Sequence, residues 1–158
     1  MINRLILCIA AGAFMSSNMP VHAQEDEIYY GSRAGMSLTT TGKSGIGTAN
    51  AVIEVEHLPR NAKAFCVEYA QDNSMACVRR TLAEVQIKDK VTANCPARTW
   101  DVFGQEFVFL GRAVAADDII ADYVIRRVET DEVLDGSSAS GYWQALGAFQ
   151  ALCPGIAD

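Results

Sequence analysis

The chain has 158 residues, 19 of them acidic and 13 basic, for a net charge of −6. That length suits a single domain behind a short leader. No basic stripe interrupts the acidic balance, so nucleic acid and anionic membrane surfaces are excluded as expected partners.

Met1 to Arg4 is a short basic start, Leu5 to Phe14 is apolar, and Val21-His22-Ala23 has the small-residue cleavage pattern. Together they read as a signal peptide over residues 1–23. The apolar run is too short for an anchor. Cys8 lacks the small residues that precede a lipidated cysteine. Residues 24–158 are then the mature protein, expected as one periplasmic or secreted domain. No later apolar run reaches spanning length, so no integral membrane segment is expected after cleavage. Cys66, Cys77, Cys95 and Cys153 remain, and an even number in a small exported chain reads as two disulfides. No CxxC occurs and His57 is the only mature histidine, so no metal or cofactor is expected.

Ile28 to Tyr30 is expected to begin the ordered part. Met36 to Thr41 is threonine-rich and reads as a strand. Gly42 to Gly47 reads as a turn. Ala49 to His57 alternates, with Ala51, Ile53 and Val55 on one face, and pairs with the preceding strand as a hairpin. The period then changes. Pro59 opens a helix to Ala70 on the spacing of Ala62, Phe65, Cys66 and Tyr69. Ser74 is an N-cap for a second helix with a stripe of Met75, Val78, Leu82 and Val85.

After a polar turn over 88–90, Val91 to Cys95 leads into the densest aromatic stretch. Gly104-Gln105 suits a type II′ turn, which needs φ > 0 at its first position. Trp100 would then face Phe109, and Val102 would face Phe107. Those four side chains share one face and predict a core. Asp101 and Glu106 fall on the other. Gly111 to Asp118 is a small-residue loop. Asp122 to Val128 is a strand with Tyr123, Ile125 and Arg127 on one side, and Val133-Leu134 is a short return. Gly136 to Gly141 is a flexible link. A last helix runs from Gly141 to Cys153, with Tyr142, Leu146, Phe149 and Cys153 on one face, and Pro154-Gly155 stops it.

Four cysteines allow three pairings, and the elements favour one. Cys66 and Cys77 sit on neighbouring short helices. Cys95 enters the aromatic meander and Cys153 ends the helix that must cover it, which pairs these two.

The stretches Phe65-Cys66-Val67-Glu68-Tyr69, Asn94-Cys95, Phe107 to Gly111, Asp135 to Tyr142 and Leu152-Cys153-Pro154 form an ordered pattern. In it the chain resembles a group of small exported bacterial proteins of unknown function, over residues 62–154. The resemblance implies an exported single domain and lends no catalytic residue.

Asp135 to Tyr142, DGSSASGY, is the most site-like loop. It precedes a helix, and helix N-termini favour anions. Ser137, Ser138 and Ser140 are the candidate binding residues, against the simpler reading of helix capping. Ser138 lacks the final glycine of a nucleophile elbow, and in a Ser138–His57–Asp135 triad the histidine, which follows a strand and precedes Leu58-Pro59, reads more simply as a structural residue at a strand end. Thr41-Gly42-Lys43-Ser44 resembles the end of a P-loop, but Ser37 stands where glycine is required. Asp117-Asp118 is followed by apolar residues rather than calcium ligands. Asp101 and Glu106 share a face and could form a glycosidase pair, or simply be surface charges. The sequence therefore predicts an α+β domain, an antiparallel β meander packed against short helices with two disulfides. Its expected function is non-catalytic, binding a protein or envelope component. A small hydrolase and a structural envelope protein are the alternatives.

Overall fold

The computed structural model describes residues 27–113, 121–137 and 141–157. The leader expected over 1–23 and the Asp117-Asp118 pair lie outside them. Eight strands form one antiparallel sheet in strict sequence order. These are β1 (Glu27–Tyr29), β2 (Ser37–Ser44), β3 (Ala51–Glu56), β4 (Lys90–Asn94), β5 (Thr99–Val102), β6 (Gln105–Arg112), β7 (Tyr123–Arg127) and β8 (Val133–Leu134). A helical excursion, α1 (Pro59–Glu68) and α2 (Met75–Glu84), lies between β3 and β4, and α3 (Tyr142–Leu152) closes the chain. The fold is α+β. Both sheet edges, β1 and β8, are only two or three residues long, which limits pairing with another chain.

The curled sheet buries one face against α3. Alternation dictates which: Ala51, Ile53 and Val55 on β3, Val91 and Ala93 on β4, Tyr123 and Ile125 on β7 all point inward. Tyr142, Leu146, Phe149 and Leu152 meet them from α3. The aromatic centre is Trp100, 2% exposed, stacked on Phe107 and against Phe149 at ring separations of 5.5 and 4.5 Å. Its indole Nε1 donates to the Ala145 carbonyl at 2.9 Å, which locks the rotation of α3 on the sheet.

The central hairpin departs from the predicted register. Trp100 pairs with Phe107 and Asp101 with Glu106. The two loop residues are Phe103 and Gly104, both at positive φ, +55° and +92°, the pattern of a type I′ turn. A phenylalanine there is held by tertiary contacts, because its ring packs against the core and Asp101 Oδ1 accepts from the Gly104 N–H at 2.9 Å. One strand has slid two residues against the other. A two-residue slip preserves the faces, so Trp100, Val102, Phe107 and Phe109 are all buried as expected.

Other boundaries also move. Gly42 to Ser44 belong to β2, which bulges between Thr40 and Gly42 and continues its pairing with β3. Gly111 and Arg112 extend β6 past a second bulge. α1 stops at Glu68, two residues early. Met75 is 62% exposed, and the buried line of α2 is Cys77, Val78 and Thr81. The Cys66–Cys77 disulfide turns Cys77 into the helix interface and rotates Met75 out. Ser74 does cap α2, accepting from the Cys77 N–H at 3.2 Å.

The helical pair has a small core of its own, Ala62, Cys66, Cys77 and Val78, apart from the main one. A polar bridge seats it on the sheet. Buried Asn61 accepts at Oδ1 from the Leu58 N–H and from the Thr39 hydroxyl of β2, each at 3.0 Å. The second disulfide, Cys95–Cys153, joins the β4–β5 turn to the end of α3. Both pairings are the expected ones.

Candidate functional site

The serine loop is described only in part. Ser138 and Ser140 lie outside the described residues. Ser137 is exposed, and its hydroxyl and N–H both donate to Asp135 Oδ1, at 2.5 and 3.0 Å. Those bonds, the hydroxyl's first, hold the Asp135 carboxyl below the usual carboxylate range, so it is an ionised acceptor. Ser137 does not cap α3. The N-cap is Gly141, at φ +85° and without a side-chain hydrogen bond.

His57 follows β3, and its ring meets Tyr30 edge-on at 5.8 Å. Both ring nitrogens are buried, and neither has a hydrogen-bond partner among the described residues. Asp135 is thus engaged with Ser137 and not with His57. Burial pushes the His57 imidazole below its ordinary value of about 6.5. The native state then binds fewer protons than the unfolded chain just below that pH. Stability is fully present above about pH 6.5 and falls as pH drops through it toward the folded value. His57→Phe keeps a ring on Tyr30 without the titration. Urea unfolding of the mature chain at pH 7.5 and 5.5 should show a loss of stability on acidification that is smaller in His57→Phe. Equal losses would show that His57 does not titrate as described.

Asp101 and Glu106 are direct cross-strand neighbours on the outer face. They line a groove of about 390 Å³ with Thr92, Asn94 and Thr99. Asp101 is committed in part to the Gly104 N–H. The P-loop-like Thr41 to Ser44 lies in β2, a paired strand rather than a phosphate loop.

A different surface joins more elements. Two adjoining cavities, of about 260 and 290 Å³, share Tyr29, Gly31, Ser32 and Gln144. The first runs between the end of β1, the β5–β6 turn and the start of α3. The second opens past Arg33 to Trp143. Tyr29 is 50% exposed and Trp143 56%, so two large rings border one groove. Each adjoins a buried residue in the chain. Ile28 anchors β1, and Tyr142 supports Trp143 edge-on at 4.9 Å while its own hydroxyl donates to the Tyr123 carbonyl at 2.7 Å.

The loop between β1 and β2 is fixed. Tyr30 N–H donates to Met36 O and Met36 N–H to Arg33 O, both at 3.1 Å. Gly35, at φ +73°, lies so close to α1 that a Cβ would fall 2.3 Å from the Phe65 nitrogen, a contact that only glycine permits. The Arg33 guanidinium stacks over Tyr69 at 4.6 Å. Sequence reasoning missed this groove. The available signal was the pair of adjacent aromatics at each end, Tyr29-Tyr30 and Tyr142-Trp143, because neighbours on a strand or helix cannot both face the core.

No protein-family model, curated protein or solved structure matches the chain.

Proposed function

We propose that the protein is an exported, non-catalytic binding module, periplasmic or secreted, that holds a protein or envelope component in the groove between Tyr29 and Trp143. The observation that carries this reading is the groove itself. Two half-exposed aromatic rings border a preformed concavity, and aromatic side chains with mixed polar lining are what small binding sites use. The β1–β2 loop that forms one wall is held by its own hydrogen bonds and by the Gly35 contact with α1, which lowers the ordering cost of binding. The basic start, apolar run and small-residue pattern in the sequence of residues 1–23, together with the disulfides, support an exported setting.

The mature chain from Gln24, immobilised, is expected to capture an envelope component. The Tyr29→Ala/Trp143→Ala double variant, altered only at half-exposed positions, should fold with unchanged Tm and lose that capture. Equal capture by a folded double variant would refute the reading. One observation favours a second reading, a small hydrolase. Asp101 and Glu106 stand opposite each other in a groove of their own, as a carboxylate pair acting on a glycosidic bond would. Hydrolysis of an oligosaccharide, lost in both Asp101→Asn and Glu106→Gln, would put that reading first.

A further inference from the structure

We infer that the Tyr29–Trp143 groove binds a carboxylated sugar ring, a hexuronate at an accessible position of a short acidic glycan. The inference rests on the binding reading above and names its ligand. Three features of the wall select the class. The rings of Tyr29 and Trp143 offer flat, half-exposed apolar surfaces with polar edges. A pyranose has an apolar C–H face of matching shape and a rim of hydroxyls, so it can stack without leaving the rim dry.

The polar lining fits that rim. Gln105 borders the first cavity, and Gln144 and Ser32 border both. No described residue engages either glutamine amide. An amide presents a donor and an acceptor side by side, as adjacent hydroxyls require. A purely apolar ligand would strand these groups, and burying them unpaired is unfavourable.

Charge selects the carboxylate. Arg33 lines the outer cavity, and among the described residues no carboxylate pairs with it. Tyr69 covers one face of the guanidinium, which leaves N–H groups at its edge for a planar anion, the geometry guanidinium binds best. The chain is acidic overall, at −6, so long-range steering does not favour an anion. Beyond about 8–10 Å that field is screened at physiological salt. A short glycan reaching Arg33 directly meets the local cation, whereas a long polyanion would also meet the acidic remainder. Short oligomers are therefore the expected ligands.

Calorimetric titration of the mature protein with a trigalacturonate and with a neutral trisaccharide tests this. The trigalacturonate should bind more tightly than the neutral sugar. Trp143→Ala and Tyr29→Ala should each weaken binding of both sugars about tenfold, as loss of one stacking contact does. Arg33→Gln should weaken the trigalacturonate alone and remove its preference over the neutral sugar. Added salt should weaken only the acidic ligand. Binding that prefers the neutral sugar, binding indifferent to the three variants, or no sugar binding by the folded protein would each overturn the inference. If envelope capture still depends on Tyr29 and Trp143 while no sugar binds, the binding reading stands and the ligand class is wrong. If capture is indifferent to those rings, the binding reading itself fails.

Discussion

Trp100→Ala should lower the unfolding free energy by about 3–5 kcal/mol, the range for removing a large aromatic ring from a packed core. The indole is fully enclosed. It touches Phe107 across the hairpin and Phe149 on α3, and its N–H is bonded to the Ala145 carbonyl. Truncation therefore leaves a cavity at the junction of sheet and helix and removes a bond that sets the helix rotation. Trp100→Phe separates the two effects, since it keeps most of the apolar contact and loses the N–H. Its loss should be smaller than that of the alanine variant. Asp101→Ala is the contrast one residue away. It removes an acceptor for the Gly104 N–H, a bond with a net contribution of about 0.5–1.5 kcal/mol. It also removes a like charge directly opposite Glu106, which is favourable. The two offset each other, and the net change should stay within about 1 kcal/mol. Urea unfolding followed by far-UV circular dichroism measures all three. Similar losses at positions 100 and 101 would show that the buried and wet faces are not as described.

Which parts of this fold were legible follows from the range of the interactions that set them. Alternation over Ala51 to Val55 and the helical spacing of Tyr142, Leu146, Phe149 and Cys153 are short-range patterns, and the structure buries those residues. The faces of the central hairpin were legible for the same reason. Its register was not. Local turn rules place glycine first in the loop at Gly104, whereas the packed ring of Phe103 and the Asp101 side chain hold a turn one residue earlier. The exposure of Met75 was hidden similarly, because a disulfide, not the helical period, decides which side of α2 faces α1. The groove is the extreme case. Its walls come from residues 29–34, 102–107 and 141–145, which meet only after the sheet has curled around α3. The serine loop, in contrast, was conspicuous as a motif, yet the one serine described is turned to Asp135.

The two disulfides should differ in what their loss does, because they staple different cores. Cys95 and Cys153 both belong to the main core, 58 residues apart. Cys66 and Cys77 belong to the small helical core and are 11 residues apart. On the chain-entropy account the longer loop contributes about 4 kcal/mol and the shorter about 3 kcal/mol. Position widens the gap. Cys95 lies in the turn that delivers Trp100, and its N–H is bonded to the Thr48 carbonyl, while Gly47 N–H is bonded to the Leu152 carbonyl beside Cys153. Releasing this link loosens α3 from the sheet it fills. Releasing the other loosens α1 and α2, which the Asn61–Thr39 bridge still tethers to β2. The Cys95→Ala/Cys153→Ala variant should therefore lose more global stability than Cys66→Ala/Cys77→Ala. In hydrogen exchange the first should raise rates across α3 and β4 to β6. The second should raise them chiefly across residues 59–84, as a local opening does. An equal or larger global loss from the helical pair would mean that α1 and α2 support the main core, contrary to the separate packing described above.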